Sequence, residues 1–166
     1  MGGLPYVLKV VDNKRFDVAV MIGYLFAVLV ITIGIRSYDP ENHVAFNPFH
    51  EYGMIIRIFR MGFDKGGTLR GLRRLWLYRH VLVTILLNVL LFVPLGYMLP
   101  RCVEKIDTWV KAVIIGFLFS LAIESTQLVM KLGWFDASDL LHNTIGAGIG
   151  YWIYHRWLKR LSKKEI

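Results

Sequence analysis

Four long apolar stretches, separated by polar segments, set the pattern of this chain. VAVMIGYLFAVLVITIGI covers 18–35, VLVTILLNVLLFVPLGYML covers 81–99, VKAVIIGFLFSLAIESTQLVM covers 110–130, and the last runs from about 139 to 157. Each is near the roughly 20 residues that a helix needs to cross a bilayer. The fourth is the least apolar, because its first turn is polar. Three spans plus a surface helix is therefore the competing arrangement. The pattern predicts an all-α integral membrane bundle of four transmembrane helices, one domain over 1–166, with a long interfacial first loop at 36–80.

Within that loop, MIIRIFRMGF and LRGLRRLWLY mix apolar residues with arginines at three- and four-residue spacing. Arg57 and Arg60 share a helical face, as do Arg70, Arg73 and Arg74. Such segments lie in the headgroup region with rings and leucines down and guanidinium groups up. Two roles fit them: simple anchoring, or a rim that binds phosphate, with Arg79 at its end.

Composition agrees with a membrane class. Of the 166 residues 55% are hydrophobic, and the mean hydropathy is +0.48. The net charge of +8 points to anionic lipid rather than nucleic acid. The single cysteine, Cys102, excludes an internal disulfide and a cysteine-based zinc site. The basic first fifteen residues lead into an apolar run too long for a signal sequence, so that run is expected to be a retained first helix.

Four spans put both termini on one side. Lys9, Lys14 and Arg15 precede the first span, and Arg156, Lys159, Arg160, Lys163 and Lys164 close or follow the last. The second loop adds Arg101, Lys105 and Lys111. The positive-inside rule makes this side cytoplasmic. The first loop is also basic, with Arg36, Arg57, Arg60, Lys65, Arg70, Arg73, Arg74 and Arg79 against Asp39, Glu41, Glu51 and Asp64. Either that charge has another use or the orientation is reversed.

The direction of each span sorts the polar residues. Asn88 lies about 10 Å below the start of the second span. Glu124 and Gln127 lie near the end of the third, one turn apart on one face. Asp136, Asp139 and Asn143 open the fourth at helical spacing. All six fall in one leaflet, under the basic loop. An ionisable residue in a span faces the bundle interior. These groups are either interhelical hydrogen-bonding glue or a site. Asp136, Ser138 or Asp139 could also cap the last helix. Gly146 and Gly150 form a G-x-x-x-G pair, which suits tight internal packing or dimerisation. His80 and His142 read as interfacial hydrogen-bonders, since no H-x-x-x-H or cysteine set accompanies them.

Three blocks, NVLLFVPLGYMLP (88–100), SLAIESTQL (120–128) and FDASDLLHNTIGAGIGY (135–151), together resemble the VanZ-like family. Its pattern is roughly N-x-x-x-F-x-P-x-G, E-x-x-Q and D-x-x-D-x-x-x-N-x-x-G. AFNPF (45–49) resembles a further segment in the first loop, with Ala45 where asparagine is usual. Gly133 stands where the family often has arginine, and Ser138 where it often has a third acid. The resemblance implies a bacterial cytoplasmic-membrane protein linked to reduced susceptibility to teicoplanin-type glycopeptides.

Three functions fit these residues. The first is an envelope protein that binds an anionic lipid headgroup, with a polyprenyl-linked cell-wall precursor as the candidate the resemblance suggests. Arg70, Arg73, Arg74 and Arg79 would hold phosphate, and Asn88, Glu124, Gln127, Asp136, Asp139 and Asn143 would hold the rest. The second is an intramembrane enzyme with Glu124 and Asp136 or Asp139 as an acid–base pair, or the same oxygens around a hard cation. The third is an assembly partner. No cofactor is expected, and no serine motif or P-loop points to covalent or nucleotide-driven chemistry.

Overall fold

The computed structural model describes residues 14–39, 41, 44–64, 76 and 79–162. Five helices follow one another: α1 (Lys14–Leu29, closed by a π-helical turn, Val30–Gly34), α2 (His50–Asp64), α3 (Arg79–Cys102), α4 (Trp109–Val129) and α5 (Ala137–Ser162). Two short strands, β1 (Val44–Ala45) and β2 (Phe135–Asp136), pair in parallel.

Three helical stretches are long and apolar enough to cross a membrane: Lys14–Gly34, Arg79–Cys102 and Trp109–Val129. The fourth expected span is not shown. Its helix is present as the 26 residues of α5, but Asp139, His142 and Asn143 in its opening turns lower its apolarity. The helix nevertheless runs alongside the others. Asp139 meets Asn88 of α3 at one end, and the Trp157 ring lies 5.8 Å from the Arg101 guanidinium at the other.

The broadest packing in the bundle is between α3 and α5, ahead of α4 and α5. Glycine explains it. A Cβ on Gly146 would lie 2.2 Å from the Val89 carbonyl oxygen, and one on Gly150 would lie 2.0 Å from that of Val93. The two backbones therefore touch, which only a missing side chain allows. Of the two uses open for the G-x-x-x-G pair, the structure shows internal packing. Tyr24 of α1 donates a 2.6 Å hydrogen bond to the Leu91 carbonyl, tying α1 to the same helix.

The two ends differ in chemistry. At the end with Lys14 and the α3–α4 loop, Arg101 donates to both oxygens of Asp17 at 2.8 Å, and its side chain is only 13% exposed. Tyr151 donates to the Asp107 carbonyl, 2.6 Å away. At the opposite end the chain leaving α1 crosses the α4–α5 link. Asp39 N–H donates to the Lys131 carbonyl at 2.7 Å, and Val44 and Ala45 pair with Phe135 and Asp136.

That crossing turns into α2 at Asn47. Its side-chain oxygen accepts from Phe49 N–H at 3.0 Å, and its carbonyl accepts from His50 N–H at 3.3 Å. This is an Asx-type turn, followed at Pro48 by a residue already locked at a helical φ. The turn aims the start of α2 at α5. Farther along, Met54 and Ile56 are exposed, as are Arg57 and Arg60. A mixed face of this kind fits the headgroup layer. The second expected interfacial segment, with Arg70, Arg73 and Arg74, lies outside the described residues. Arg79 is described, with its guanidinium 4.6 Å from the centre of the Trp76 ring.

Candidate functional site

The polar residues gather under the β1–α2 crossing. Asn88 donates from its amide to Asp139, a contact between α3 and α5. Asn143, one turn on, donates to the Ser120 hydroxyl of α4 at 2.9 Å. The backbone N–H of Asp136 donates to Glu124 Oε2 at 3.1 Å. Gln127 donates to the Thr32 carbonyl at 2.8 Å, inside the π-helical turn that ends α1. Glu124, Gln127 and Asn143 are buried, at 3%, 1% and 5% exposure.

The cap of α5 belongs to Asp136. Its Oδ1 accepts from both the N–H and the hydroxyl of Ser138, each at 2.8 Å. This satisfies a free donor at the helix start and leaves the Asp139 side chain for Asn88. Glu124 and Asp136 thus meet through a backbone N–H of Asp136, not carboxyl to carboxyl. Among the described residues no group of three or more His, Cys, Asp or Glu side chains is placed to hold a metal ion.

Four residues absent from the sequence-based set, Glu51, Tyr52, His50 and His142, join the cluster. His142, fully buried, has Nε2 at 2.8 Å from the Tyr52 hydroxyl and Nδ1 at 3.7 Å from Glu51 Oε2. Tyr52 and His142 also meet edge to face, with centroids 5.6 Å apart. His50 Nε2 lies 3.8 Å from Asp136 Oδ2. Burial pushes the Glu51 carboxyl above its usual range, and the nearby Asp136 carboxylate adds to that; His50 and Ser138 act the other way. The sequence held one signal for His142: it lies four residues after Ser138, on one helical face. It held none for Glu51, which is one of four acids in a basic loop.

Some buried polar atoms in this cluster have no hydrogen-bond partner among the described residues: Glu51 Oε2, Gln127 Oε1, His142 Nδ1 and Asn143 Oδ1. Buried polar atoms are normally paired. Arg36 closes the site from α1. Its Nη1 lies 2.6 Å from where a Cβ on Gly133 would stand, and Gly133 has φ +149°. The positive φ favours glycine there, whereas the Arg36 guanidinium is the flexible end of an exposed side chain.

The sequence blocks that meet in this polar cluster have a counterpart in known sequences. The VanZ/LLP1 family pattern matches residues 21–159, which include every described element of the site. The chain belongs to the VanZ/LLP1 family. It is also similar to Protein VanZ of Enterococcus faecium, 28% identical over 79 residues, 48% of each chain. The chain thus spans about half the length of the curated VanZ relative it matches. No solved structure matches it. Within the VanZ/LLP1 match, the E-x-x-Q pair, the two aspartates and both asparagines line one site, and the N-P-F segment builds the turn that covers it.

Proposed function

We propose that this protein crosses the bacterial cytoplasmic membrane four times, with α5 as the fourth span and both termini inside. In that position it holds the headgroup of a phosphate-bearing lipid, with a polyprenyl-linked cell-wall precursor as the candidate. Through that binding it contributes to glycopeptide tolerance. One observation carries the reading: buried acids and amides from three helices, α2, α4 and α5, converge beneath the β1–α2 crossing with the half-buried Asn88 of α3, and some of their atoms lack partners among the described residues. Such groups are costly in a membrane and concentrate at functional positions. The exposed Arg57, Arg60 and Arg79, with Arg70, Arg73 and Arg74 of the same loop, supply charge for phosphate. Support for four crossings comes from the length of α5, about 39 Å at 1.5 Å per residue, against a hydrocarbon core of about 30 Å.

The test pairs stability with binding. Glu124→Gln and Asp139→Asn keep a hydrogen-bonding group and remove a buried charge. If the residues serve only packing, both variants hold or gain stability and keep their lipid. The headgroup reading expects a normal melting temperature with loss of co-purified lipid and of glycopeptide tolerance. Unchanged lipid and tolerance in both variants would reject it.

A second reading is an intramembrane enzyme acting on the same lipid. It is favoured by the Tyr52–His142–Glu51 line, in which an imidazole sits between a hydroxyl and a carboxyl. That is an arrangement suited to proton transfer. Turnover of a phosphate-bearing lipid by the pure protein, abolished in His142→Gln, would establish it. Intact lipid after prolonged incubation would exclude it.

A further inference from the structure

We infer that the group this site takes from its ligand is a primary ammonium carried on a lipid-borne headgroup. The inference rests on the headgroup reading above and concerns which part of the headgroup enters the bundle.

The argument is a count of donors and acceptors. Each amide of the site already has a donor engaged. Asn88 gives its N–H to Asp139, Gln127 to the Thr32 carbonyl, and Asn143 to Ser120. The orientation of Gln127 is fixed by its partner, because a carbonyl can only accept. Its leftover atom is therefore an oxygen, and Oε1 is buried without a partner among the described residues. Glu51 Oε2 is also buried without one. Of the four unpartnered atoms among the described residues, three are oxygens, Glu51 Oε2, Gln127 Oε1 and Asn143 Oδ1, and the fourth, His142 Nδ1, donates or accepts according to its tautomer, so most of the unmet demand is for donors.

Charge points the same way. Four carboxyl groups, Glu51, Glu124, Asp136 and Asp139, converge here from α2, α4 and the start of α5. Facing them are the exposed Arg36 and the half-exposed His50, which stands 3.8 Å from Asp136. A phosphate would meet like charge and few free donors. A hydroxyl would donate one hydrogen bond and leave the charge uncompensated. An ammonium donates three hydrogen bonds, accepts none and carries the opposite charge. Phosphate is left to exposed arginines such as Arg57 and Arg60 of α2, so the two halves of a headgroup bearing both groups would separate by chemistry.

Thermal shift of the purified protein in neutral detergent, near pH 7, tests the inference with four probes. Dodecylamine presents the ammonium on a chain. Dodecyltrimethylammonium presents the charge without donors, dodecyl phosphate presents the opposite charge, and ethanolamine presents the ammonium without a chain. The expected result is a rise in Tm with dodecylamine, a much smaller one with dodecyltrimethylammonium, and none with dodecyl phosphate. The dodecylamine response should vanish in Asp139→Asn; if that variant does not fold, its loss in Glu51→Gln decides the same point. A phosphate response equal to the amine response, or an amine response unchanged in the variants, overturns the inference. An equal response to ethanolamine at matched concentration overturns the lipid-borne source. Loss of co-purified lipid in Glu124→Gln with no preference among the probes would overturn the ammonium and leave the headgroup site standing. Lipid and probe responses both unchanged would reject the two together.

Discussion

Gly150→Ala adds one methyl group where α5 crosses α3, and the structure fixes what it meets. The new Cβ would stand 2.0 Å from the Val93 carbonyl oxygen and 2.8 Å from the Tyr97 nitrogen. A carbon meets a carbonyl oxygen comfortably at roughly 3.3 Å, so the helices must separate by on the order of 1 Å. Both obstacles are backbone and cannot rotate away. Overpacking costs about 1–3 kcal/mol, and rigid neighbours put this case near the upper value. Alanine returns about 1 kcal/mol of helix propensity over glycine. The net loss is about 2 kcal/mol, or roughly thirtyfold in the folding equilibrium. Gly23→Ala is the matched control, because a Cβ there meets nothing within 4 Å, so only the propensity gain remains. Equilibrium unfolding by sodium dodecyl sulfate in mixed micelles reads both variants. Opposite signs are expected. If Gly150→Ala is as stable as Gly23→Ala, the close crossing of α3 and α5 is wrong. The placement of Asn88 against Asp139 would then fall with it, since Val89, the neighbour of Asn88, packs on Gly146 in the same crossing.

Two further outcomes are expected. Asp17→Asn breaks a bidentate ion pair whose side chains are only 15% and 13% exposed, and should cost about 3 kcal/mol because it removes the carboxylate from beside a largely buried guanidinium. Lys14→Gln removes an exposed surface pair with Glu104 and should leave the same unfolding curve unmoved; equal effects of the two would refute the distinction. Single cysteines at Ser37 and Ser162, with Cys102 replaced, should label from outside at position 37 alone if the basic termini are cytoplasmic. Labelling at 162 alone would reverse the orientation while leaving the site intact.

The sequence made the polar leaflet legible without any contact information. Helices that alternate in direction carry Asn88, Glu124, Gln127, Asp139 and Asn143 to one end, and that end is where they meet. Their partners were not legible. Asn143 bonds to Ser120, a residue small enough to pass as packing. Gln127 bonds to a backbone carbonyl, which no side-chain pattern announces. His142 was read as interfacial and is fully buried, because its environment is supplied by Tyr52, 90 residues away.

What the amino acids determined by themselves is governed by length and solvent. Apolar runs matched to hydrocarbon thickness define three spans, since an unpaired backbone in lipid forces a helix and charge is costly there. The same reasoning could not decide the fourth, because the polar opening turns of α5 are tolerable only when other helices cover them. That cover exists in the tertiary structure alone. The backbone contact at Gly146 and Gly150 sets the rotation of α5, and that rotation turns Asp139 to Asn88 and His142 to Tyr52. Pairing of Val44–Ala45 with Phe135–Asp136 then lays α2 over the result and brings in Glu51. Local pattern specifies which faces are apolar. Which face meets which neighbour depends on close packing between distant segments, and only the folded chain contains that information.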